Sequence, residues 1–209
     1  MKYVACSLRQ LLDEGVPRNI IQEAFDDFNC SRNEDVENFL KNYAIANECI
    51  GASRSYLYID YEALKNDSFT LLAFFTIAIT ATDYSKISKR KRRVILGNYP
   101  RVSKEDHFPG FLLAQLARDD RYTKEDFDCS NLLGIAEEMI QEAANSIGGN
   151  AIYLDCVEDL IGYYQRFGYE LLPEEPEEDA GDDIGSNKES AHEFFKMFKG
   201  LPRIEFEER

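Results

Sequence analysis

Residues 108–169 decide the fold, and they read FPGFLLAQLARDDRYTKEDFDCSNLLGIAEEMIQEAANSIGGNAIYLDCVEDLIGYYQRFGY. The apolar run 111–117 has the length of a buried strand. Residues 132–147 carry apolar side chains at helical spacing, and Gly148 stops that helix, because glycine is favoured just past a helix C-terminus. Residues 151–154 predict a second short strand. A strand, a crossover helix and a second strand make a βαβ unit, whose strands are normally parallel.

The stretch also contains an ordered set of short motifs. Leu116-Ala-Arg-Asp119 ends the first strand, Leu132-Leu133 opens the helix, and Tyr163-Tyr-Gln-Arg-Phe-Gly-Tyr169 closes a further helix predicted over 159–167. In this order they resemble the core of the GCN5-related N-acetyltransferase (GNAT) superfamily. That resemblance implies an α/β fold of the α+β kind, with a mixed central sheet and helices on both faces.

The residues before this stretch predict helices followed by two strands. Residues 7–14 predict a short helix, and Pro17 lies where a second helix begins. The sequence Ser31-Arg-Asn-Glu34 has the spacing of a capping box ahead of a third helix. Residues 55–60 and 71–80 predict strands, and a turn between them favours antiparallel pairing.

Part of this region resembles one branch of the superfamily. The residues concerned are Phe28-Asn-Cys30 and Gly51-Ala-Ser-Arg-Ser-Tyr56, which leads into the first predicted strand. The branch includes toxin-type acetyltransferases, which modify the aminoacyl group on charged tRNA and are neutralised by a small DNA-binding antitoxin. The resemblance therefore implies tRNA and an antitoxin as candidate partners.

The C-terminal part combines an acidic segment with a short apolar one. Residues 173–192 are rich in Asp, Glu, Pro and Gly, which is typical of a mobile loop or linker. Residues 193–200 are the candidate final strand of the fold, and a C-terminal helix is the alternative. We expect residues 1–209 to form a single acetyltransferase-like domain.

Composition excludes several classes of protein. The net charge of −15 argues against a surface that coats nucleic acid generally, and five scattered cysteines indicate reduced thiols in a cytoplasmic protein. Two histidines without zinc-site spacing predict no metal. The N-terminus lacks the apolar core of a signal peptide, and the most apolar run, 71–81, is shorter than the roughly 20 residues that cross a bilayer. We expect no membrane association.

One basic cluster interrupts this acidic chain: Lys86, Lys89, Arg90, Lys91, Arg92 and Arg93. One interpretation is a solvated connector between two strands. The other is a phosphate contact, to tRNA or to the 3′-phosphate of coenzyme A, because a basic run concentrates positive potential locally.

The superfamily resemblance implies acetyl-CoA as co-substrate. Its pantetheine arm would run along the strand near Leu116, and its pyrophosphate would lie on the N–H groups of the next helix N-terminus, where the helix dipole favours an anion. The cofactor-binding positions carried over in this way are Leu116, Ala117, Arg118, Lys124, Cys129, Ser130 and Asn131. Tyr164 holds the position of the general acid that protonates the leaving thiolate, and the alternative is that it only packs in the core.

The predicted pyrophosphate loop departs from the family pattern. Residues 123–131 contain no glycine, although glycine lets a backbone approach phosphate closely. They contain three acids, Glu125, Asp126 and Asp128, opposed by Lys124. Asp128 can instead act as a helix N-cap. Either coenzyme A binds while the acidic side chains point outward, or the site has lost the ability to bind coenzyme A and the protein is a folded but inactive scaffold.

Three interpretations of function follow. The first is an N-acetyltransferase that moves an acetyl group from acetyl-CoA to a primary amine, with aminoacyl-tRNA among the acceptors alongside small amines and peptides. The second is a catalytically inactive binding or regulatory module, and the third is an unrelated α/β protein. Asp83, Asp119 and Asp155 are the candidate general bases at strand ends, although strand-end turns explain each as well. The oligomeric state is open, with a homodimer as one option.

Overall fold

The structure is a computed structural model that describes residues 2–66, 68–97, 104–172 and 194–202. Two compact units share these residues. The first takes Met1–Ile79 and Leu112–Ala143, and the second takes Thr80–Phe111 and Ala144–Arg209. The acidic segment 173–192 lies outside the described residues, so the predicted loop there stays a prediction, as does the single domain.

Seven strands and eight helices make up the described part of the chain, and all seven strands belong to one mixed sheet. The predicted α/β class is therefore confirmed. The strands are β1 Tyr3–Ser7, β2 Arg54–Asp60, β3 Leu71–Asp83, β4 His107–Arg118, β5 Ala151–Val157, β6 Glu170–Leu171 and β7 Phe194–Gly200. The helices are α1 Leu8–Asp13, α2 Arg18–Asp26, α3 Glu34–Asn42, α4 Ala44–Ile50, α5 Tyr61–Lys65, α6 Lys89–Leu96, α7 Cys129–Ile147 and α8 Glu158–Gln165.

In the first unit the strand order is β1-β2-β3-β4. The pairing of β2 with β3 is antiparallel, with Arg54 opposite Ile77, which confirms the predicted strand pair. Strand β1 also pairs antiparallel with β2, from Tyr3 opposite Asp60 to Ser7 opposite Tyr56. The sequence did not predict β1, because its apolar run of four residues is short and its side chains are exposed or half-buried. Its pairing depends on a partner some fifty residues away.

The first four helices form the apolar core of this unit together with β2, β3 and β4. The side chains that pack there are Leu8, Leu11, Ile21, Phe25, Phe28, Cys30, Val36, Leu40, Ala44, Leu57, Leu71, Phe74 and Ala117. Burial at spacings of three and four along α2 and α3 is what the helical pattern predicts. A left-handed Gly51 (φ 75°) ends α4, which directs the chain into β2.

The predicted capping box at the start of α3 is wrong. The helix begins at Glu34, so the N-cap is Asn33, whose side-chain oxygen accepts the N–H groups of Asp35 (3.1 Å) and Val36 (3.3 Å). The backbone N–H of Ser31 instead donates to the carboxylate of Asp120 at 2.7 Å. Asparagine and serine are both good N-caps, so spacing alone could not choose between them.

In the second unit the strand order is β5-β7-β6. The C-terminal apolar segment is strand β7, as predicted, and the alternative of a helix there is wrong. It pairs antiparallel with β5, with Ala151 opposite Gly200, and antiparallel with β6, with Glu170 opposite Phe198. Successive side chains of a strand point to opposite faces of the sheet, so Met197 is fully buried although the neighbouring Lys196 is exposed.

We predict that Asn33→Ala lowers the free energy of unfolding by about 1 kcal/mol, because it leaves two N–H groups of α3 without their cap. Ser31→Ala is the matched control and should change it by less than about 0.5 kcal/mol, since Ser31 caps no N–H group of α3 and its bonds to Asp120 lie at the exposed surface. Urea denaturation of both variants measures the difference. An equal cost for the two substitutions would restore Ser31 as the cap.

Candidate functional site

The seven predicted cofactor-binding residues all lie in the first unit, along the end of β4, in the loop after it and at the start of α7. Leu116 is half-buried and Ala117 is buried. Arg118, the last residue of β4, donates from its guanidinium to the carbonyl oxygen of Phe127 at 2.7 Å. This bond joins the start of the loop 119–128 to its end.

Aromatic side chains anchor the same loop. Phe127 is buried, and its ring centroid lies 5.4 Å from those of Tyr3 and Tyr58. The hydroxyl of Tyr122 donates to the carboxylate of Asp60 at 3.0 Å, and burial is the main cause that raises the pKa of Tyr122 to about 12. The loop is therefore held to β1 and β2 through side chains, although it contains no glycine.

Two acids near the end of the loop, Asp126 and Asp128, are bonded to residues close to them in the sequence. The carboxylate of Asp126 accepts both the N–H (2.9 Å) and the hydroxyl (3.0 Å) of Thr123. The carboxylate of Asp128 accepts the N–H of Ser130 at 2.9 Å, and this bond is the main reason that the pKa of Asp128 is lowered. The ammonium of Lys124 lies 3.7 Å from the same carboxylate.

The N-terminus of α7 can bind a negatively charged group, as its bond to a carboxylate shows. The N–H of Ser130 donates to the side chain of Asp128, and the N–H of Asn131 donates to the Asp128 carbonyl oxygen at 3.0 Å. A pyrophosphate could use the Ser130 donor after the Asp128 carboxylate had turned away. Cys129 is half-buried, and burial raises the pKa of its thiol, which does not favour a thiolate there.

Two of the three candidate general bases have structural roles. Asp119 is fully buried. Its carboxylate accepts a hydrogen bond from the N–H of Asn29 (3.1 Å) and forms an ion pair with the guanidinium of Arg121 (2.8 Å). Asp83 is exposed and accepts the N–H of Ser85 at 2.7 Å, which is the main cause that lowers its pKa. Both are the strand-end roles that the alternative interpretation predicted.

Asp155 remains a candidate base. It is exposed on β5, where its register partner is Lys196 on β7.

Tyr164 lies near the end of α8, in the second unit. It is buried, and its ring packs edge-on against those of Tyr163 and Tyr169, with centroids at 5.2 Å and 5.7 Å. Its carbonyl oxygen accepts the N–H groups of Phe167 (2.9 Å) and Tyr169 (3.3 Å), which closes the turn into β6. The aromatic motif thus has a clear packing role, and the role of Tyr164 as an acid stays a prediction.

The basic cluster is largely helical, and helix α6 connects β3 to β4, which agrees with the first interpretation of a solvated connector. Arg92 is buried within it and donates to the carbonyl oxygens of Ile87 (2.7 Å), Glu105 (3.0 Å) and Ser85 (3.1 Å). It also forms an ion pair with Asp106. The other cations are exposed: Lys86, Lys89, Arg90, Lys91 and Arg93. Sequence reasoning missed α6, because a run of cations carries no amphipathic pattern until Val94.

Metal and membrane features are absent from the part of the chain that the structure describes. No group of His, Cys, Asp and Glu there could hold a metal ion, and the cysteines are free. No helix in the same ranges has the length and apolar character needed to cross a membrane.

Comparisons with known proteins give matches only among solved structures. No protein-family model matches the chain, and no curated protein matches it. The structure of a bacterial toxin matches with a TM-score of 0.65 at 18% identity, covering 96% of this chain and 91% of the toxin. AtaT complexed with acetyl-methionyl-tRNAfMet matches with a TM-score of 0.57 at 17% identity, covering 84% of this chain and 86% of AtaT.

The chain has the GNAT fold. The resemblance inferred from the sequence is confirmed at the level of the fold, which the chain shares with these toxin structures. A third match is a mutant AtaT toxin bound to the C-terminus of the antitoxin AtaR and acetyl-CoA, with a TM-score of 0.53 at 14% identity, covering 83% of this chain and 82% of the toxin. The likeness to these structures is therefore one of fold, with TM-scores above 0.5 at low sequence identity.

We predict that Asp119→Ala lowers the free energy of unfolding by about 3 kcal/mol, because it leaves Arg121 and the Asn29 N–H without their buried partner. Asp27→Ala is the matched control, since Asp27 pairs with the same arginine at the surface. It should cost less than about 1 kcal/mol. Denaturant unfolding measures both values, and a cost below about 1 kcal/mol for Asp119→Ala would contradict the structural role.

Proposed function

We propose that this chain is an acetyl-CoA-dependent N-acetyltransferase of the toxin type, which acetylates the α-amino group of an aminoacyl-tRNA. The observation that carries the proposal is the likeness of its fold to the bacterial toxin and to AtaT, which was solved with acetyl-methionyl-tRNAfMet. From the sequence, the net charge favoured a small cationic amine, while residues 28–60 favoured tRNA. The fold likeness favours the second acceptor.

The reaction needs no metal or redox partner. The neutral α-amino nitrogen attacks the thioester carbonyl carbon, a C–N bond forms and the C–S bond breaks. The leaving thiolate takes a proton from the hydroxyl of Tyr164, and the proton released by the amine restores that hydroxyl. The products are an N-acetyl-aminoacyl-tRNA and coenzyme A, so charge and protons balance.

The roles of the chain's residues in binding follow from the strand and helix that carry them. The backbone of Leu116, Ala117 and Arg118 at the end of β4 would bond to the pantetheine arm as an added strand does. Lys124 and the N–H groups of Cys129 and Ser130 would hold the pyrophosphate, with Asn131 beside them, whose own N–H stays bonded to the Asp128 carbonyl oxygen. The same likeness supports an antitoxin partner, because one AtaT structure includes the C-terminus of AtaR.

Helix α6 is the surface that we assign to the RNA. Lys89, Arg90 and Lys91 form its first turn, where cations oppose the positive end of the helix dipole. This arrangement is locally unfavourable, and it persists because Arg92 fixes the helix through buried bonds. An RNA phosphate would neutralise these charges and remove the conflict.

We expect Tyr164→Phe to lower kcat at least about 100-fold without changing the Kd for acetyl-CoA, because only the transferable proton is removed. The assay follows labelled acetyl transfer to a panel of charged tRNAs, with spermidine and an amino-acid amide as small acceptors. Tyr163→Phe removes a neighbouring hydroxyl and should retain activity within a few fold. Transfer to the small amines alone would refute the proposed acceptor, and full activity of Tyr164→Phe would refute its role.

We also expect the triple variant Arg90→Gln, Lys91→Gln, Arg93→Gln to bind tRNA more weakly and with less salt dependence. Each lost phosphate contact should reduce the slope of log K against log salt by about 0.7 to 1. Fluorescence anisotropy across a salt series measures the slope. Lys65→Gln removes an exposed lysine of α5 and is the control. Equal slopes for the triple variant and the wild type would remove α6 from the RNA-binding surface.

A further inference from the structure

The start of α7 holds a bond that conflicts with its proposed task. The carboxylate of Asp128 accepts the Ser130 N–H at 2.9 Å, which is one of the donors assigned to the pyrophosphate. One N–H makes one strong hydrogen bond, and two anions at one helix N-terminus repel each other. The carboxylate and a phosphate oxygen therefore exclude each other at this donor.

We propose that Asp128 is an internal competitor of acetyl-CoA, whose carboxylate occupies the Ser130 donor until the pyrophosphate displaces it. The inference rests on the proposed function, because it assumes that this loop is where the cofactor binds. In this proposal Asp128 controls the affinity for the cofactor and takes part in no step of the transfer reaction.

The surroundings of Asp128 allow the exchange. Its side chain is about one-third exposed, so the carboxylate can rotate into solvent without opening the core. Lys124, whose side chain is 73% exposed, lies 3.7 Å from it and can pair with whichever anion is present. The bond from the Asn131 N–H to the Asp128 carbonyl oxygen uses the backbone and survives the rotation.

Asp126 differs from Asp128 in the groups that its carboxylate binds. It belongs to the same loop and carries the same charge, but its carboxylate is bound by the N–H and the hydroxyl of Thr123. The structure gives it no bond to an N–H of α7. It therefore separates a general effect of negative charge in the loop from competition for one donor.

The proposal predicts opposite effects on the free and the bound protein. Removing the Asp128 carboxylate takes away the cap of α7, so the melting temperature without ligand should fall. The same change frees the Ser130 donor and removes a repelling charge, so acetyl-CoA should bind more tightly. A carboxylate that only stabilised the loop would weaken binding when it was removed.

The test is calorimetric titration of the wild type, Asp128→Asn, Asp128→Ala and Asp126→Asn, each with acetyl-CoA and with S-acetyl-pantetheine, which has no phosphate. Thermal melting verifies that each variant is folded, and Asp128→Asn keeps a neutral capping group if the alanine variant is unstable. We expect the Kd for acetyl-CoA to fall about three- to tenfold in Asp128→Ala, and by less in Asp128→Asn, because the asparagine oxygen can still accept the Ser130 N–H although it carries no charge. The Kd for S-acetyl-pantetheine should not change, and Asp126→Asn should behave as the wild type does.

The possible failures are distinguishable. If the wild type binds acetyl-CoA but the Asp128 variants bind it equally or more weakly, the competition is refuted and the proposed function stands. If Asp126→Asn tightens binding as much as the Asp128 variants, the effect is one of general charge and the competition is also refuted. If no folded variant binds acetyl-CoA at millimolar concentration, both the competition and the proposed enzyme are refuted.

Discussion

The buried carboxylate of Asp119 is the constraint on which the rest of the candidate site depends. It lies directly after β4, binds the N–H of Asn29 and pairs with Arg121, while its own N–H donates to the carbonyl oxygen of Leu72 on β3. A buried carboxylate must have such partners, because an unpaired charge in the interior is strongly destabilising. The direction in which the chain leaves the sheet is therefore fixed at a single residue.

The loop that follows has to reach α7 from that fixed point, and it does so without glycine. The guanidinium of Arg118 binds the Phe127 carbonyl, and the buried ring of Phe127 packs against Tyr58. These contacts position the loop through side chains, whereas a glycine-rich loop adapts its backbone. Rigidity of this kind explains how Asp126 and Asp128 can be satisfied locally, each by a nearby N–H group.

The fold was predictable where the pattern is local, and less so elsewhere. Residues 108–169 revealed β4, α7 and β5, because long apolar runs and a helical repeat leave few alternatives. Strand β1 was missed because an edge strand is defined by its partner, and α6 was missed because its charges hide its periodicity. At the site, the sequence located the loop and allowed Asp128 as a cap. It could not reveal that Asp119 is buried, which depends on a residue ninety positions away.

The N-terminus of α7 brings stability and function into conflict. A free helix N-terminus must satisfy its first N–H groups, and a carboxylate from the loop is an effective way to do so. A helix that binds phosphate must instead keep those donors available, and glycine in the preceding turn serves that purpose because it offers no competing side chain. This chain has Asp128 in the turn before α7, so the helix gains a cap. Under the proposed function, the same bond would also be the one that a pyrophosphate has to displace. On that proposal, cofactor affinity would depend on the side chain that precedes the helix as much as on the helix itself.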